Sequence, residues 1–211
     1  MVRDGELNVA INAVVGLVPY PSLGVTVWLT GVPAAGKTTI AHALHGEYQR
    51  NGLSAAVLDG DVLRQGLGSD LGHGRADRAE QARRTAHVAA ILATAGVFPI
   101  VALVSPFRRD RQLAHSIHAE AGVTFLEVWV DTPLDICQKR DPKGLYARQR
   151  AGEMSELTGV DAPYEVSPLP ALRIDGGSEL PAKAAHRIAC MALQIRSRAK
   201  QEAGAPSVID G

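Results

Sequence analysis

The residues with the strongest chemical signature form a glycine-rich loop that ends in a lysine and a threonine. Residues 31–38 read Gly-Val-Pro-Ala-Ala-Gly-Lys-Thr, which matches the pattern G-x-x-x-x-G-K-[ST]. In such a loop the N–H groups point at phosphate oxygens, the lysine reaches the β- and γ-phosphates, and the hydroxyl holds Mg²⁺. The sequence therefore predicts binding of a nucleoside triphosphate with Mg²⁺, and the expected contacts are Gly31, Val32, Pro33, Ala34, Ala35, Gly36, Lys37, Thr38 and Thr39.

Two carboxylates follow the next β-prone segment, in the run Leu58-Asp-Gly-Asp-Val-Leu-Arg64. Asp59 and Asp61 flank a glycine, so a turn there can give one carboxylate to a metal ion or its waters and the other to an acceptor hydroxyl. Such a base need only orient the hydroxyl and take its proton late, because phosphoryl transfer depends mainly on positioning and charge neutralisation. Asp61 could instead cap a helix, and this alternative stays open at the level of sequence.

A basic segment follows, in which Arg78 and Gln81 are three residues apart. On a helix this spacing puts both side chains on one face. The planar guanidinium of arginine matches the oxygens of phosphate or sulfate, so Arg78 is a candidate anion ligand. For Arg83 and Arg84 a solvated helix face, with Arg84 paired to Glu80, is the favoured interpretation.

The elements that must position these residues alternate between β-prone and amphipathic segments, which is typical of a parallel sheet covered by helices on both faces. Candidate strands are 25–30, 54–58, 98–104, 124–130 and 171–174, and candidate helices are 37–50, 61–67, 77–95, 108–121, 133–140 and 181–200. Ligands of open α/β sheets bind at the carboxyl ends of the strands. The loop at 31–38, the run 59–64, the run 105–109 and Asp131 all follow strands, so we expect them to converge.

The same pattern predicts one domain over residues 25–200. Residues 1–24 form an N-terminal extension to which the sequence assigns no role, and residues 201–211 are expected to be a flexible tail. Residues 141–169 break the alternation, and a segment of this length without its own periodicity is typical of a functional lid.

Composition argues against several classes of protein. Lysine plus arginine and aspartate plus glutamate are both 22, so no net positive charge favours nucleic acid. No apolar run reaches the roughly 20 residues needed to span a bilayer, and the N-terminus fits a secretory signal poorly. Cys137 and Cys190 are expected to be reduced, mostly buried thiols of a cytoplasmic protein, and the histidines have no metal-ligand spacing.

Several ordered motifs resemble the adenylylsulfate kinases, which use ATP to phosphorylate the 3′-hydroxyl of adenosine 5′-phosphosulfate. Besides the loop and the Asp59–Arg64 run, they are Asp77-Arg-x-Glu…Arg-Arg84, Ser105-Pro-Phe-Arg-Arg-Asp-Arg111, Glu127-Val-Trp-Val-Asp-Thr-Pro133, Arg140-Asp-Pro-Lys-Gly-Leu-Tyr146 and Ala151-Gly-Glu…Thr158-Gly-Val-Asp-x-Pro-Tyr-Glu165. The resemblance covers about residues 25–175. A loop of the first type alone is generic, whereas this series is specific.

The resemblance implies a P-loop NTPase fold with three layers, and a lid that excludes water. It implies ATP and Mg²⁺ as cofactors, with Thr38 on the metal and Asp59 supporting it through water. Asp61 would be the acceptor-side base, and Lys37 and Asp59 the other catalytic groups. Arg140 would lie near the ATP phosphates, and the substrate contacts implied are Asp61, Arg64, His73, Arg78, Gln81, Val104, Ser105, Lys143 and Leu157.

Further implications concern modification and assembly. In some members of the family the serine equivalent to Ser105 can carry phosphate. A homodimer is compatible with the resemblance, as is a functional link to a sulfate adenylyltransferase.

The chain departs from the family pattern at the acceptor pocket. Where the family has two aromatic residues that resemble a clamp on the substrate adenine, this chain has His73 and Leu157; Gln81 stands in place of an asparagine, and Ser155 in place of a common lysine. Two alternatives therefore stand beside the main hypothesis: a kinase of the same fold acting on another hydroxyl, and a nucleotide-binding regulatory subunit without turnover.

Overall fold

The structure, a computed structural model, describes residues 24–204 and contains a five-stranded sheet in the order β2-β3-β1-β4-β5. The strands are β1 Val25–Thr30, β2 Ala55–Asp59, β3 Phe98–Ala102, β4 Thr124–Asp131 and β5 Leu172–Asp175. Every pairing in this sheet is parallel, so the predicted sheet class is confirmed. Nearly all of the predicted N-terminal extension, and most of the predicted tail, lie outside the described residues.

The helices lie close to their predicted positions, with three differences. They are α1 Lys37–Arg50, α2 Gly60–Leu63, α3 Arg75–Thr94, α4 Arg108–Glu120, α5 Leu134–Arg140, α6 Leu145–Arg150 and α7 Pro181–Gly204. The helix expected over 61–67 is wrong in its extent, because the chain turns at its end, where the N–H groups of Gly66 and Gly68 donate to Leu63 O. Helix α6 was not predicted, and α7 continues past residue 200.

Strand β1 is the centre of the molecule, and its six residues are all buried. Val27 lies opposite Ile100 of β3 and Leu126 of β4, so β1 is covered at both edges. Alternate side chains enter two cores: Val27 and Leu29 pack with α1 and α7, while Trp28 packs with α3 and α4. The three-layer arrangement follows from this alternation.

The two cysteines differ in their surroundings. Cys137 is buried, whereas Cys190 is exposed, so the expectation of two mostly buried thiols is wrong for Cys190. Both are free thiols in the described part of the chain. Among the described helices, none is long and apolar enough to cross a membrane.

One of the histidines on α4 is part of the core. The ring of His118 is fully buried and lies 3.0 Å from Thr26 Oγ1 and 2.7 Å from Ala114 O. Burial lowers its pKa from 6.5 to about 4, because the charged ring would lose its hydration. His118 is therefore neutral in the folded protein at pH 7.

This burial predicts a loss of stability in acid. Between pH 6.5 and about 4 the unfolded chain binds a proton at His118 that the folded chain does not. The stability from this residue is complete above pH 6.5 and is lost as the pH falls, by about 3 kcal/mol in total. Urea unfolding at several pH values should show a steeper decline for the wild type than for His118→Gln. The exposed neighbour on the same helix supplies the control, His115→Gln, which should retain most of the wild-type slope; equal slopes for wild type and His118→Gln would contradict the prediction.

Candidate active site

A cavity of about 990 Å³ opens at the carboxyl edge of the sheet. It brings together most of the residues that the sequence predicts: Pro33, Ala34, Ala35, Gly36, Lys37, Thr38, Thr39, Asp59, Asp61, Arg64, His73, Arg78, Gln81, Val104, Ser105, Arg140, Lys143 and Leu157. Gly31 and Val32 do not line it, but their carbonyls accept hydrogen bonds from Lys37 Nζ. The convergence expected from the ends of β1, β2 and β3 is therefore present in the structure. Asp131, which was expected there too, does not line the cavity and pairs with Arg173 instead.

The loop between β1 and α1 has a backbone that favours glycine at two positions. Gly31 has φ +150° and Gly36 has φ +105°, and a Cβ on Gly31 would lie 2.6 Å from Val130 O. Helix α1 begins at Lys37, so the N–H groups of its first turn have no partners within the helix. They form an anion-binding terminus at the cavity.

Lys37 is buried at the base of this loop. Its Nζ donates to Gly31 O and Val32 O, each at 2.8 Å. Burial lowers the pKa of the amine to about 8, so the charged form predominates at pH 7 without a direct carboxylate hydrogen bond. The charge of this buried ammonium is not balanced by its two carbonyl partners. A polyphosphate bound at the adjacent helix N-terminus would compensate that charge.

Thr38 and Asp59 provide oxygen atoms of the kind that Mg²⁺ prefers. Thr38 Oγ1 donates to Asp59 Oδ2 at 2.7 Å, and Asp59 Oδ1 accepts from the Asp61 amide at 2.9 Å. Within residues 24–204 no group of three or more His, Cys, Asp or Glu side chains could hold a metal ion. A Mg²⁺ ion bound with a nucleotide keeps phosphate and water oxygens as its main ligands, so the Thr38 hydroxyl and the Asp59 carboxylate are the kind of protein groups that it would use here.

The carboxylate of Asp61 contacts the segment 141–169, which the sequence predicts to be a lid. It forms an ion pair with Lys143, and both side chains are more than half exposed. The side chain that caps α2 belongs to Asp59, which accepts a hydrogen bond from the Asp61 N–H group. The helix-cap alternative for Asp61 is therefore wrong, and its carboxylate is directed at the cavity.

Arg64 and Arg78 hold the loop that carries His73. Arg64 Nη1 donates to Leu71 O at 3.1 Å, and Arg78 Nε donates to His73 O at 2.7 Å. Burial lowers the pKa of His73, and the two nearby guanidinium groups lower it further, so the ring is neutral at pH 7. Two arginines and a neutral ring thus share the wall opposite the nucleotide loop.

Three other predicted substrate contacts have different surroundings. Gln81 is 3% exposed, and its Nε2 donates to Gly60 O at 3.1 Å. Leu157 is 2% exposed and packs with the core beside α1. Ser105 lines the cavity, and its Oγ accepts from Trp28 Nε1 at 3.1 Å, so the hydroxyl oxygen already has a partner in the wall.

The remaining basic residues of α3 behave as the sequence suggests. Arg83 and Arg84 both pair with Glu80, and Arg84 also pairs with Asp70. These groups do not line the cavity. Arg84 connects helix α3 to the preceding turns through Leu67 O and Asp70, whereas the pair of Arg83 with Glu80 stays within the helix.

Sequence reasoning missed the residues that hold the nucleotide loop from outside. Tyr146 OH donates to Pro33 O at 2.9 Å, and Thr132 Oγ1 donates to Ala35 O at 2.7 Å. Arg140, which the sequence did identify, donates from Nη2 to Gly176 O at 2.8 Å. Tyr146 and Thr132 both lie inside the quoted motifs, but a motif does not say which carbonyl a hydroxyl will reach.

Comparison with known proteins identifies the family. The sequence model of the adenylylsulphate kinase family matches residues 23–175, which is well over half of the chain. The chain belongs to the adenylylsulphate kinase family. The family and the P-loop kinase fold predicted from the sequence are thereby confirmed.

Individual relatives agree with this membership. The adenylyl-sulfate kinase of Saccharomyces cerevisiae is 46% identical over 151 residues, covering 72% of this chain and 75% of that protein. The bifunctional enzyme CysN/CysC of Mycobacterium tuberculosis is 49% identical over 154 residues, covering 73% of this chain but only 25% of that protein. This adenylylsulphate kinase chain therefore spans about a quarter of the length of that relative.

A solved structure extends the comparison to the fold. The Mycobacterium tuberculosis APS kinase CysC in complex with AMPPNP and APS has a TM-score of 0.79 and 45% identity to this chain. The match covers 82% of this chain and 99% of that one. Membership of the adenylylsulphate kinase family thus rests on both sequence and backbone geometry.

The lowered pKa of Lys37 predicts that nucleotide affinity depends on pH. Above a pKa of about 8 the free protein loses the Lys37 charge, so the Kd for AMPPNP should rise, by up to about tenfold per pH unit. Isothermal titration calorimetry from pH 7 to 9.5 measures this change. Lys37→Arg keeps its charge over the range and should give a nearly constant Kd. A constant Kd for the wild type would contradict the assignment of Lys37 to the phosphates.

Proposed function

We propose that the chain transfers the γ-phosphoryl group of ATP to the 3′-hydroxyl of adenosine 5′-phosphosulfate, giving ADP and 3′-phosphoadenosine 5′-phosphosulfate. The observation that carries the proposal is a single cavity bounded by a phosphate loop with a buried lysine, the Asp61 carboxylate, and a wall with two arginines. Family membership and the similar complex with AMPPNP and APS support the choice of donor and acceptor.

The donor side consists of groups that bind and orient phosphates. Lys37 and the first-turn N–H groups of α1 bind phosphate oxygens. Arg140 lies beside the loop, where it donates to Ala35 O, and it is held from the other side by Gly176 O after β5. Thr38 and Asp59 would hold Mg²⁺, directly and through water respectively. When bound, ATP supplies the phosphoryl group, and Mg²⁺ neutralises charge on the β- and γ-phosphate oxygens.

On the acceptor side, Asp61 accepts the hydrogen bond of the 3′-hydroxyl and takes its proton as the new ester bond forms. The amide of Asp61 is fixed by Asp59 Oδ1, so the carboxylate has a defined position on the turn. Lys143, paired with Asp61, belongs to the lid and adds positive charge where the phosphoryl group passes. Lid closure excludes water that would otherwise hydrolyse ATP.

Arg64 and Arg78 bind the phosphosulfate group of the acceptor. Each already donates to a loop carbonyl, which orients the guanidinium and leaves further N–H groups for the anion. Gln81, Val104 and Ser105 line the adjoining wall, where Ser105 is also the proposed site of a phosphoserine. His73 and Leu157 line the same cavity, and we assign both to the region that would receive the adenine.

The proposed partners follow from charge and from the relatives. The net charge of zero favours a small nucleotide over nucleic acid as the substrate. We include a cytoplasmic location, a homodimer and a functional link to a sulfate adenylyltransferase in the proposal. The link is supported by a relative that is a bifunctional enzyme of which this chain matches one part.

The test of the function is ADP release with a coupled assay, in the presence and absence of adenosine 5′-phosphosulfate. Release that depends on this acceptor is expected, with 3′-phosphoadenosine 5′-phosphosulfate identified by mass spectrometry. Asp61→Asn should reduce kcat by about 10²- to 10⁴-fold, because only the proton acceptor is lost, while the Kd for AMPPNP stays within twofold. If ADP release is the same with and without the acceptor, the proposed substrate is wrong. If Asp61→Asn retains wild-type activity, the assignment of Asp61 as the base is wrong.

The departure at His73 gives a separate prediction. A phenylalanine presents a larger apolar face to an adenine, and base–aromatic stacking contributes about 1–3 kcal/mol. His73→Phe should therefore lower the Kd for adenosine 5′-phosphosulfate by roughly tenfold without changing the Kd for AMPPNP. His73→Leu is the matched control, since it is apolar but cannot stack. Unchanged or weaker acceptor binding by His73→Phe would mean that the ring does not face the adenine.

A further inference from the structure

Arg111 lies beneath the acceptor wall and is 2% exposed. Its three nitrogen atoms reach three different segments. Nε lies 2.8 Å from Glu127 Oε1 on β4, Nη1 donates to Ser105 O at 2.7 Å, and Nη2 donates to Glu165 O at 2.6 Å. One side chain thus connects the sheet, the turn after β3 and the end of the lid segment.

The turn held by Nη1 has an unfavourable backbone. Ser105 has φ +41°, a conformation that a residue with a side chain adopts at a cost of about 1–3 kcal/mol. Such a conformation persists where its surroundings over-determine it. Here Trp28 Nε1 donates to the Ser105 hydroxyl, and Thr30 Oγ1 donates to the neighbouring Val104 O at 2.7 Å while lying 3.3 Å from the Ser105 carbonyl that Arg111 binds.

The segment held by Nη2 is the end of the lid. Glu165 N donates to Pro106 O at 2.8 Å, and Glu165 Oε2 accepts from Arg108 N at 2.8 Å. Next to it, Tyr164 OH lies 3.0 Å from Thr30 Oγ1, and the Arg111 guanidinium lies 5.7 Å from the Tyr164 ring centre. The lid end and the cavity wall therefore share one cationic support.

Stability alone does not account for this arrangement. A buried ion pair is often no more stabilising than apolar residues of the same volume, because both charges lose their hydration. What the guanidinium supplies is a rigid planar group that donates to two carbonyls in different segments while its charge pairs with Glu127, whereas a lysine has one nitrogen and cannot span these separate positions. We propose that Arg111 is a positioning residue for the acceptor pocket, which fixes the Val104–Ser105 wall relative to the 164–166 end of the lid. The inference rests on the proposed function for its kinetic consequence only.

The kinetic test compares Arg111→Lys with Arg109→Lys, a control on an exposed neighbour in the same helix. Arg111→Lys should raise KM for adenosine 5′-phosphosulfate at least tenfold while KM for ATP stays within twofold. Glu127→Gln, which keeps the shape but removes the charge that pairs with the guanidinium, should raise the acceptor KM by a smaller factor. Arg109→Lys should match the wild type. Equal changes in both KM values, or none, would overturn the positioning role.

A second measurement does not depend on the reaction. The chain has two tryptophans, so Trp129→Phe leaves Trp28, whose indole N–H binds Ser105 Oγ, as the only one. In this background Arg111→Lys should shift the Trp28 emission, whereas Arg109→Lys should not. If Arg111→Lys does not fold, Glu127→Gln carries both measurements. No emission shift in any folded variant would overturn the proposal. If Arg111→Lys shifts the Trp28 emission but the wild-type protein shows no activity with adenosine 5′-phosphosulfate, the structural role of Arg111 stands and the proposed substrate is wrong.

Discussion

Parallel pairing of β1 with β3 on one side and β4 on the other constrains every part of the site. Parallel strands end at the same edge, so the segments that follow β1, β2 and β3 meet there whatever their side chains are. The phosphate loop, the Asp59–Asp61 turn and the Val104–Ser105 wall owe their proximity to this chain direction. Complete burial of β1 makes the arrangement rigid, since a shift in its register would move Trp28 and Val27 out of their cores.

Within the cavity at the edge of this sheet, the burial of charged side chains determines the electrostatics. Lys37 retains positive charge at neutral pH although it is surrounded by carbonyls, and a bound anion is the natural compensation. Arg64 and Arg78 are more accessible and each uses one donor to hold a loop. The chain as a whole has no net charge, so the attraction for phosphate groups is local and arises from which side chains the strand ends bring together.

Much of this could be predicted from the sequence because the signals are local. The strands are apolar runs covered on both faces, and the phosphate loop and the Asp59–Asp61 turn are short motifs placed directly after them. Helix α6 could not be predicted in the same way, because it begins after Gly144 in a left-handed conformation and is capped by the Asp141 side chain. The contacts of Arg111 and the burial of Leu157 depend on segments far apart in the chain, and no local pattern specifies them.

The direction of the chain also determines where it enters and leaves the molecule. Gly24 donates to Ala93 O at the amino ends of the strands, on the side opposite the cavity. Helix α7 starts near the cavity and runs back, so that Arg196 lies over the ring of Phe98 at the beginning of β3. Both ends of the described domain therefore emerge on the same distal surface. Within the described residues, entry and exit of the chain are therefore both separated from the mouth of the pocket by the full depth of the sheet.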